Sequence, residues 1–293
     1  MMRLAPLVCL LSLASLLPAQ SVTPPPPSDA RDNILYSEET ERPGPLLKKE
    51  FRNIVMDQKA IWTSPFHMTK NEAGWWVLFG AGAGALVAAD YHLSTQLPNS
   101  ADQTAFSRKV SQVGASYTVL PVAAGFYAFG AWKDDPKARE TGALGLESLA
   151  DALITVEILK AVFSRERPLE GSGHGHFFRW GHDSFPSGHS IESFALASVV
   201  AHEYDSSPWV PAAAYGLAGL VSASRFSARK HFASDIIVGG GMGYFIGRYV
   251  FQTHADHRIH KRYRTPVTAQ FIPFAEPSTR SYGLRLQLAR AER

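Results

Sequence analysis

The sequence predicts an all-α bundle of about six core helices, ending in a short β-rich tail. Three observations lead there. From residue 74 onward, apolar runs of helical length alternate with short polar connections, giving expected cores at 74–90, 110–132, 142–163, 190–204, 208–222 and 235–251. Pro168, Pro186 and Pro208 fall at the boundaries of these runs, where a helix must stop or start. Small residues recur within them, as in Gly80-Ala-Gly-Ala-Gly84 and Gly239-Gly-Gly-Met-Gly243, which permits close helix packing in lipid or in a tight soluble bundle.

Taken from the beginning, residues 1–20 (MMRLAPLVCLLSLASLLPAQ) have a basic start, an apolar stretch and a small-residue end, the pattern of a bacterial secretory signal peptide. Cys9, the only cysteine, lies inside it. The mature chain would then hold no thiol, and disulfides, zinc–thiolate sites and cysteine catalysis drop out. Residues 21–45 contain four consecutive prolines and suit an extended tether. Residues 46–73 form an amphipathic segment expected to pack outside the bundle. The bundle itself occupies 74–252, followed by a basic and β-rich tail over 253–293. In that tail the alternation Tyr-Gly-Leu-Arg-Leu-Gln-Leu at 282–288 predicts a hairpin or edge ribbon.

A formal net charge of +3 and a pI near 8.9 are too mild to indicate nucleic acid. The basic run at 258–264 reads as a solvated or membrane-surface segment. Residues 110–132 are uncharged and long enough to span a bilayer, and 206–224 nearly so. Against insertion stand Glu192, His202 and Glu203 in one helix, Glu147, Asp151 and Glu157 in another, and a mean hydropathy of −0.09. The expectation is a protein of the bacterial cell envelope with its site facing the periplasm, membrane-associated or integral to the inner membrane.

Three strings carry the chemistry: KAVFSRERP at 160–168, PSGH at 186–189 and SRFSARKHFASD at 224–235. They supply two histidines, one carboxylate and several cations, the inventory of a metal-free phosphoryl-transfer site. A phosphate ester carries several anionic oxygens, and without a metal their charge must be met by lysine and arginine. Lys160, Arg167 and Arg225 can do this. One histidine can attack phosphorus while the other protonates the departing oxygen. His231 and Asp235 are four apart, so on a helix they share a face and the carboxylate can orient the imidazole. Lys160 and Arg167, seven apart, would also share a helical face up to Pro168. Gly188 lets backbone approach a ligand, Ser187 adds a hydroxyl donor, and free N–H groups at the helix start after it favour an anion.

These strings resemble the signature of the type 2 phosphatidic acid phosphatase and vanadium haloperoxidase superfamily, K-x6-RP, then PSGH, then SR-x5-H-x3-D. Every fixed position is matched, by Lys160, Arg167, Pro168, Pro186, Ser187, Gly188, His189, Ser224, Arg225, His231 and Asp235. The resemblance covers residues 143–250. It implies His231 as nucleophile, His189 as general acid, Asp235 as the group that orients His231, and Lys160, Arg167, Ser187, Gly188 and Arg225 as the phosphate cradle. It implies no metal and no cofactor. The expected activity is hydrolysis of phosphate monoesters or pyrophosphates, of lipids in view of the apolar bundle. Rival readings are a soluble periplasmic acid phosphatase, a vanadate-dependent haloperoxidase and a non-catalytic binder of lipid phosphates. The superfamily pattern does not fix Arg165, Arg229 or Lys230, which are expected at the rim or surface. The linker 171–176, rich in glycine and histidine, is expected to be a mobile loop over the site.

Overall fold

The structure is a computed structural model that describes residues 43–98, 100–256, 267–276 and 281–290. The expected signal peptide, most of the proline-rich tether and the basic run at 258–264 lie outside the described residues. Helices follow in the order α1 (Pro43–Thr63), α2 (Lys70–Gln96), α3 (Ala101–Ser111), α4 (Ser116–Lys133), α5 (Pro136–Phe163), α6 (Gly188–Glu203), α7 (Trp209–Ser227) and α8 (Ala233–His254). Two strands, β1 (Val267–Glu276) and β2 (Ser281–Arg290), pair antiparallel with Val267 opposite Arg290 and Glu276 opposite Ser281. The predicted ribbon is therefore present in the tail.

The six expected cores all become helix, with two differences. The run at 110–132 is not continuous: a short 3-10 turn at Gln112–Gly114 and extended Ala115 separate α3 from α4. Gly114 packs closely at this break, where a Cβ would come within 2.3 Å of Ser193 Oγ and Val221 Cγ1. The tether also ends earlier than expected, because α1 begins at Pro43, an imino acid tolerated in a first turn.

Helices α5, α6 and α8 form the centre. Ala152 and Val156 of α5, Ile191 and Ala195 of α6 and Ile246 of α8 make one buried apolar cluster. The α6–α8 crossing is close because α8 presents Gly243 and Gly247, where a Cβ would fall 2.1 Å from Ile191 O and 2.2 Å from Ala195 O. The glycines of α2 play no such part. Gly80, Gly82 and Gly84 have nothing within 4 Å, so the close packing expected of that stretch does not occur among the described residues.

Among the described residues, two stretches are long and apolar enough to cross a membrane, Ala73–Gln96 and Ala101–Lys133. Residues 206–224 are not among them. Most of the first stretch is open to its surroundings, with Trp75, Trp76, Val77 and Leu78 exposed, and Tyr117, Val122, Phe129 and Trp132 continue the apolar surface on α4. Helix α1 meets α5 through polar side chains instead. Gln58 Nε2 donates to Asp151 Oδ1 at 2.9 Å, and Asn53 Nδ2 to Glu147 Oε2 at 3.4 Å.

Candidate active site

Four helix ends meet at one end of the bundle. Lys160 lies in the last turn of α5, Gly188 and His189 open α6, Arg225 is in the last turn of α7, and Asp235 is in the first turn of α8. His231 sits in the connection between α7 and α8 and is buried. A helix of about 20 Å or more places its two termini far apart, so four termini at one point can focus polar groups there.

Arg167 reaches this end differently from expectation. Helix α5 stops at Phe163 because Ser164 adopts a left-handed conformation, φ 36° and ψ 64°. Lys160 and Arg167 therefore share no helical face. Residues beyond Ser164 form an irregular loop tied to 176–184, with Phe178 N donating to Phe163 O, Arg179 N to Ser164 O and Ser184 N to Arg165 O. From this loop Arg167 forks onto Asp183, with Nε at 3.0 Å and Nη2 at 2.8 and 2.9 Å from its oxygens. Burial raises the Asp183 carboxyl, but the Arg167 charge and hydrogen bonds prevail and hold it below its usual range. Lys160 Nζ pairs with Glu157 at 2.7 Å. A Cβ built on Gly188 would stand 3.5 Å from that Nζ, so the backbone there borders the space before the lysine.

Arg165, expected at the rim, is instead 1% exposed and central. Its Nη1 donates to Asp235 Oδ1 at 2.6 Å and Ser234 Oγ at 2.8 Å, its Nη2 to Asp90 Oδ2 at 2.9 Å, and its Nε to Gly175 O at 3.0 Å. The rings of Phe177 and Phe232 lie against the guanidinium at 4.5 and 4.2 Å. A buried guanidinium is tolerable because two carboxylates and two further acceptors satisfy its fork. Sequence spacing gave no hint of this. Asp90 did leave a trace, as the first charge after an uncharged run from 73 to 89.

Asp235 is the hub of the site. Its Oδ2 accepts from Ser184 Oγ at 2.6 Å and Phe232 N at 2.8 Å, while Oδ1 faces Arg165. His231 Nδ1 is 3.7 Å from Asp235 Oδ2 but 2.7 Å from the carbonyl oxygen of Ser184. The nearest acceptor for an Nδ1 proton is thus Ser184 O, and Ser184 Oγ ties that residue to Asp235. With Nδ1–H donating to Ser184 O, the lone pair is at Nε2, which looks toward Arg225 Nη2 at 3.4 Å. Burial, with Arg225 and Arg167 behind it, lowers the His231 pKa despite the Asp235 charge. For His189, burial comes first, then the charges of Arg225, His231, Lys160 and Arg167, and its pKa falls to about 3. Arg225 itself is lowered to about 10, by burial and then by Arg167.

Two donors at this point have no hydrogen-bond partner although buried: Ser187 Oγ and Arg225 Nε. Ser187 is the N-cap residue of α6, yet its side chain makes no capping bond. Buried donors left unpaired cost free energy, typically about 1–3 kcal/mol, and here several cations surround them. An oxyanion is the chemical species that would satisfy such a set.

Arg229 and Lys230 stand outside this group, as expected. Arg229 donates to the carbonyl oxygens of Ser94 and Leu97, and Lys230 is exposed. The histidine-rich linker carries contacts that the mobile-loop expectation did not foresee: His174 stacks on Tyr91 at 3.9 Å, and His182 Nδ1 is 2.9 Å from Glu170.

Comparison with known proteins follows the same segment. Residues 143–259 match the sequence model of the family described as PAP2 superfamily. A Lipid A 1-phosphatase of Porphyromonas gingivalis is 39% identical over 66 residues, 22% of this chain but only 15% of that relative's length. Similar solved structures include Aquifex aeolicus LpxE, with TM-score 0.44 and 21% identity over 55% of this chain and 92% of the other, and a transmembrane PAP2 type phosphatidylglycerolphosphate phosphatase from Bacillus subtilis, with TM-score 0.43 and 18% identity over 73% and 96%.

Proposed function

We propose, on the premise that residues 143–259 belong to the PAP2 superfamily, that the chain hydrolyses phosphate monoesters or pyrophosphates of lipids through a phosphohistidine. The observation that carries this reading is the pair of buried, unpartnered donors, Ser187 Oγ and Arg225 Nε, set among Lys160, Arg167 and the imidazoles of His189 and His231.

In this mechanism the phosphoryl group lies between His231 and the leaving oxygen. Arg225, Lys160, Arg167, Ser187 Oγ and the first N–H groups of α6 take its non-bridging oxygens, whose charge grows more diffuse but stays anionic in transit. Neutral His231 attacks phosphorus through Nε2, forming an N–P bond as the O–P bond breaks. Its proton stays on Nδ1 and is donated to Ser184 O, a carbonyl held in place by Ser184 Oγ and Asp235. Asp235 is then a positioning residue acting through Ser184 as much as through its own charge. His189 protonates the departing oxygen. Its low pKa in the empty cluster of cations means that the substrate dianion must bring the proton's stabilisation with it. Water, deprotonated by the now neutral His189, then attacks the phosphohistidine and releases phosphate.

A lipid substrate is supported by the exposed apolar surface of α2 and α4 and by the shallow recess beside the end of α5, lined by Ala161, Val162, Ser164, Phe178 and Trp180. We place the site on the periplasmic side of the cell envelope, following the signal-peptide reading of residues 1–20. A phosphate-release screen of the purified full chain over lipid phosphates, isoprenyl pyrophosphates and soluble esters tests the proposal. Preference for lipid phosphates in mixed micelles supports it. Equal turnover of soluble esters, with recovery of the protein by osmotic shock alone, would assign it to the soluble acid phosphatases instead.

A further inference from the structure

Midway along α5 and at the C-terminal end of α8 lies a second polar cluster that the phosphoryl site does not use. Asp57 of α1, Glu147 of α5 and His254 of α8 are each buried, and one ligand atom from each lies within 4.8 Å of the others. His254 Nε2 is 3.1 and 3.0 Å from the two oxygens of Asp57 and 3.2 Å from Glu147 Oε1. We propose that Asp57, Glu147 and His254 bind a divalent first-row cation such as Zn²⁺, which ties α1 to the central helices.

Three observations carry this. First, Glu147 Oε1, on a residue only 2% exposed, has no hydrogen-bond partner. Asn53 Nδ2 engages the other oxygen, Oε2, which leaves Oε1 turned toward His254. Second, the spacing is that of ligands around a small cation. Bonds of about 2.0–2.2 Å at tetrahedral or octahedral angles put neighbouring ligand atoms about 2.9–3.4 Å apart, where Nε2 and its carboxylate neighbours already stand. Third, the seam carries more negative than positive groups. Glu50 adjoins Glu147, and Asp151 lies near Asp57 and Glu50, with Lys49 as a nearby cation. Burying like charges together is expensive unless a cation joins them. Imidazole with two carboxylates suits Zn²⁺ or Mn²⁺ better than Mg²⁺ or Ca²⁺, which prefer oxygen alone.

The two sites do not overlap. Glu147 is about 20 Å from Lys160 along α5, at 1.5 Å per residue. The cation is therefore structural and takes no part in phosphoryl transfer.

The experiment uses the full chain in detergent with His174→Ala and His176→Ala, which removes the exposed linker histidines as competing ligands. After EDTA and dialysis, Zn²⁺ is titrated while bound metal and the thermal midpoint are read. We expect one Zn²⁺ per chain, a rise in the midpoint, and at least tenfold weaker binding in Glu147→Gln and in Asp57→Asn, with turnover in all three proteins unchanged. Should either variant fail to fold, Co²⁺ titration of the unsubstituted site decides: visible d–d bands saturating at one equivalent support the proposal. No stoichiometric binding, no Co²⁺ bands, or full affinity in Glu147→Gln would overturn it. Loss of turnover in His231 variants bears on the phosphatase reading alone, so the two proposals can fail separately.

Discussion

Two polar regions of the bundle, one where α5 ends and α8 begins and the other at mid-α5 and the last residue of α8, are built from opposite charges. In one, Lys160, Arg165, Arg167 and Arg225 gather around His189, His231 and Asp235; in the other, Glu50, Asp57, Glu147 and Asp151 gather around His254. The first has buried donors without acceptors, Ser187 Oγ and Arg225 Nε. The second has buried acceptors without donors, including Glu147 Oε1 and Asn53 Oδ1. These unpaired buried groups motivate the two proposed ligands, an oxyanion for the first cluster and a cation for the second, where His254 Nδ1 is also unpaired.

Variants that separate the two regions test the comparison, and His231→Ala should have the largest effect. We expect turnover to fall by about 10³-fold or more, since no other described side chain is placed to accept the phosphoryl group. Steady-state phosphate release by protein with unchanged circular dichroism measures it; retention of more than a few per cent of the wild-type rate would remove His231 as nucleophile.

Next comes Arg165→Ala. It leaves Asp90 and Asp235 buried without their cationic partner, a loss of about 3–5 kcal/mol for a broken buried pair. The thermal midpoint should drop sharply, and Arg165→Lys should not restore it, since one ammonium cannot span both carboxylates and Gly175 O. A midpoint within a degree or two of wild type would show that the network is not structural.

Arg225→Ala should weaken vanadate and slow catalysis together, each by about 10–100-fold, the worth of a charge-assisted hydrogen bond made to both analogue and transition state. Arg229→Ala should change neither by more than about twofold, because its guanidinium is spent on the carbonyls of Ser94 and Leu97. An Arg229 effect larger than that of Arg225 would show the phosphate to be misplaced.

Proton linkage gives a smaller but more specific signal. His189 has a folded pKa of about 3 against 6.5 in the unfolded chain. Its contribution to stability is present above pH 6.5 and is lost as pH falls toward 3, because the unfolded chain then binds the extra proton. A bound dianion reverses the shift, so binding of sulfate, fully dianionic near pH 6, should take up about one proton in wild type and none in His189→Gln. Calorimetry in buffers of different ionisation enthalpy reads this directly, and equal uptake by both proteins would contradict the role of His189.

How each region could be read from sequence follows from how it is built. The anion region uses residues close together in the chain, so 160–168, 186–189 and 224–235 each carry a local pattern with fixed spacing. Even there, a spacing of seven implies a helical face for Lys160 and Arg167 that left-handed Ser164 abolishes by ending the helix first, and nothing local marks Arg165 as buried. A buried charge looks like a surface charge until its partners are known, and Asp90 is 75 residues away. The acid region has no local pattern at all: Asp57 and His254 are 197 residues apart. Their meeting depends on the docking of α1, which periodicity places outside the bundle without saying against which helices.

The most direct test of the central claim is to trap the intermediate. Wild type and the His189→Ala, His231→Ala and Glu147→Gln variants would be mixed with a ³²P-labelled lipid phosphate in EDTA, quenched in alkali within milliseconds, and digested for peptide mass spectrometry. The account predicts an alkali-stable, acid-labile label on His231 in wild type and Glu147→Gln, and none in His231→Ala. It would be contradicted by label on another residue, or by full turnover in His231→Ala with no labelled enzyme.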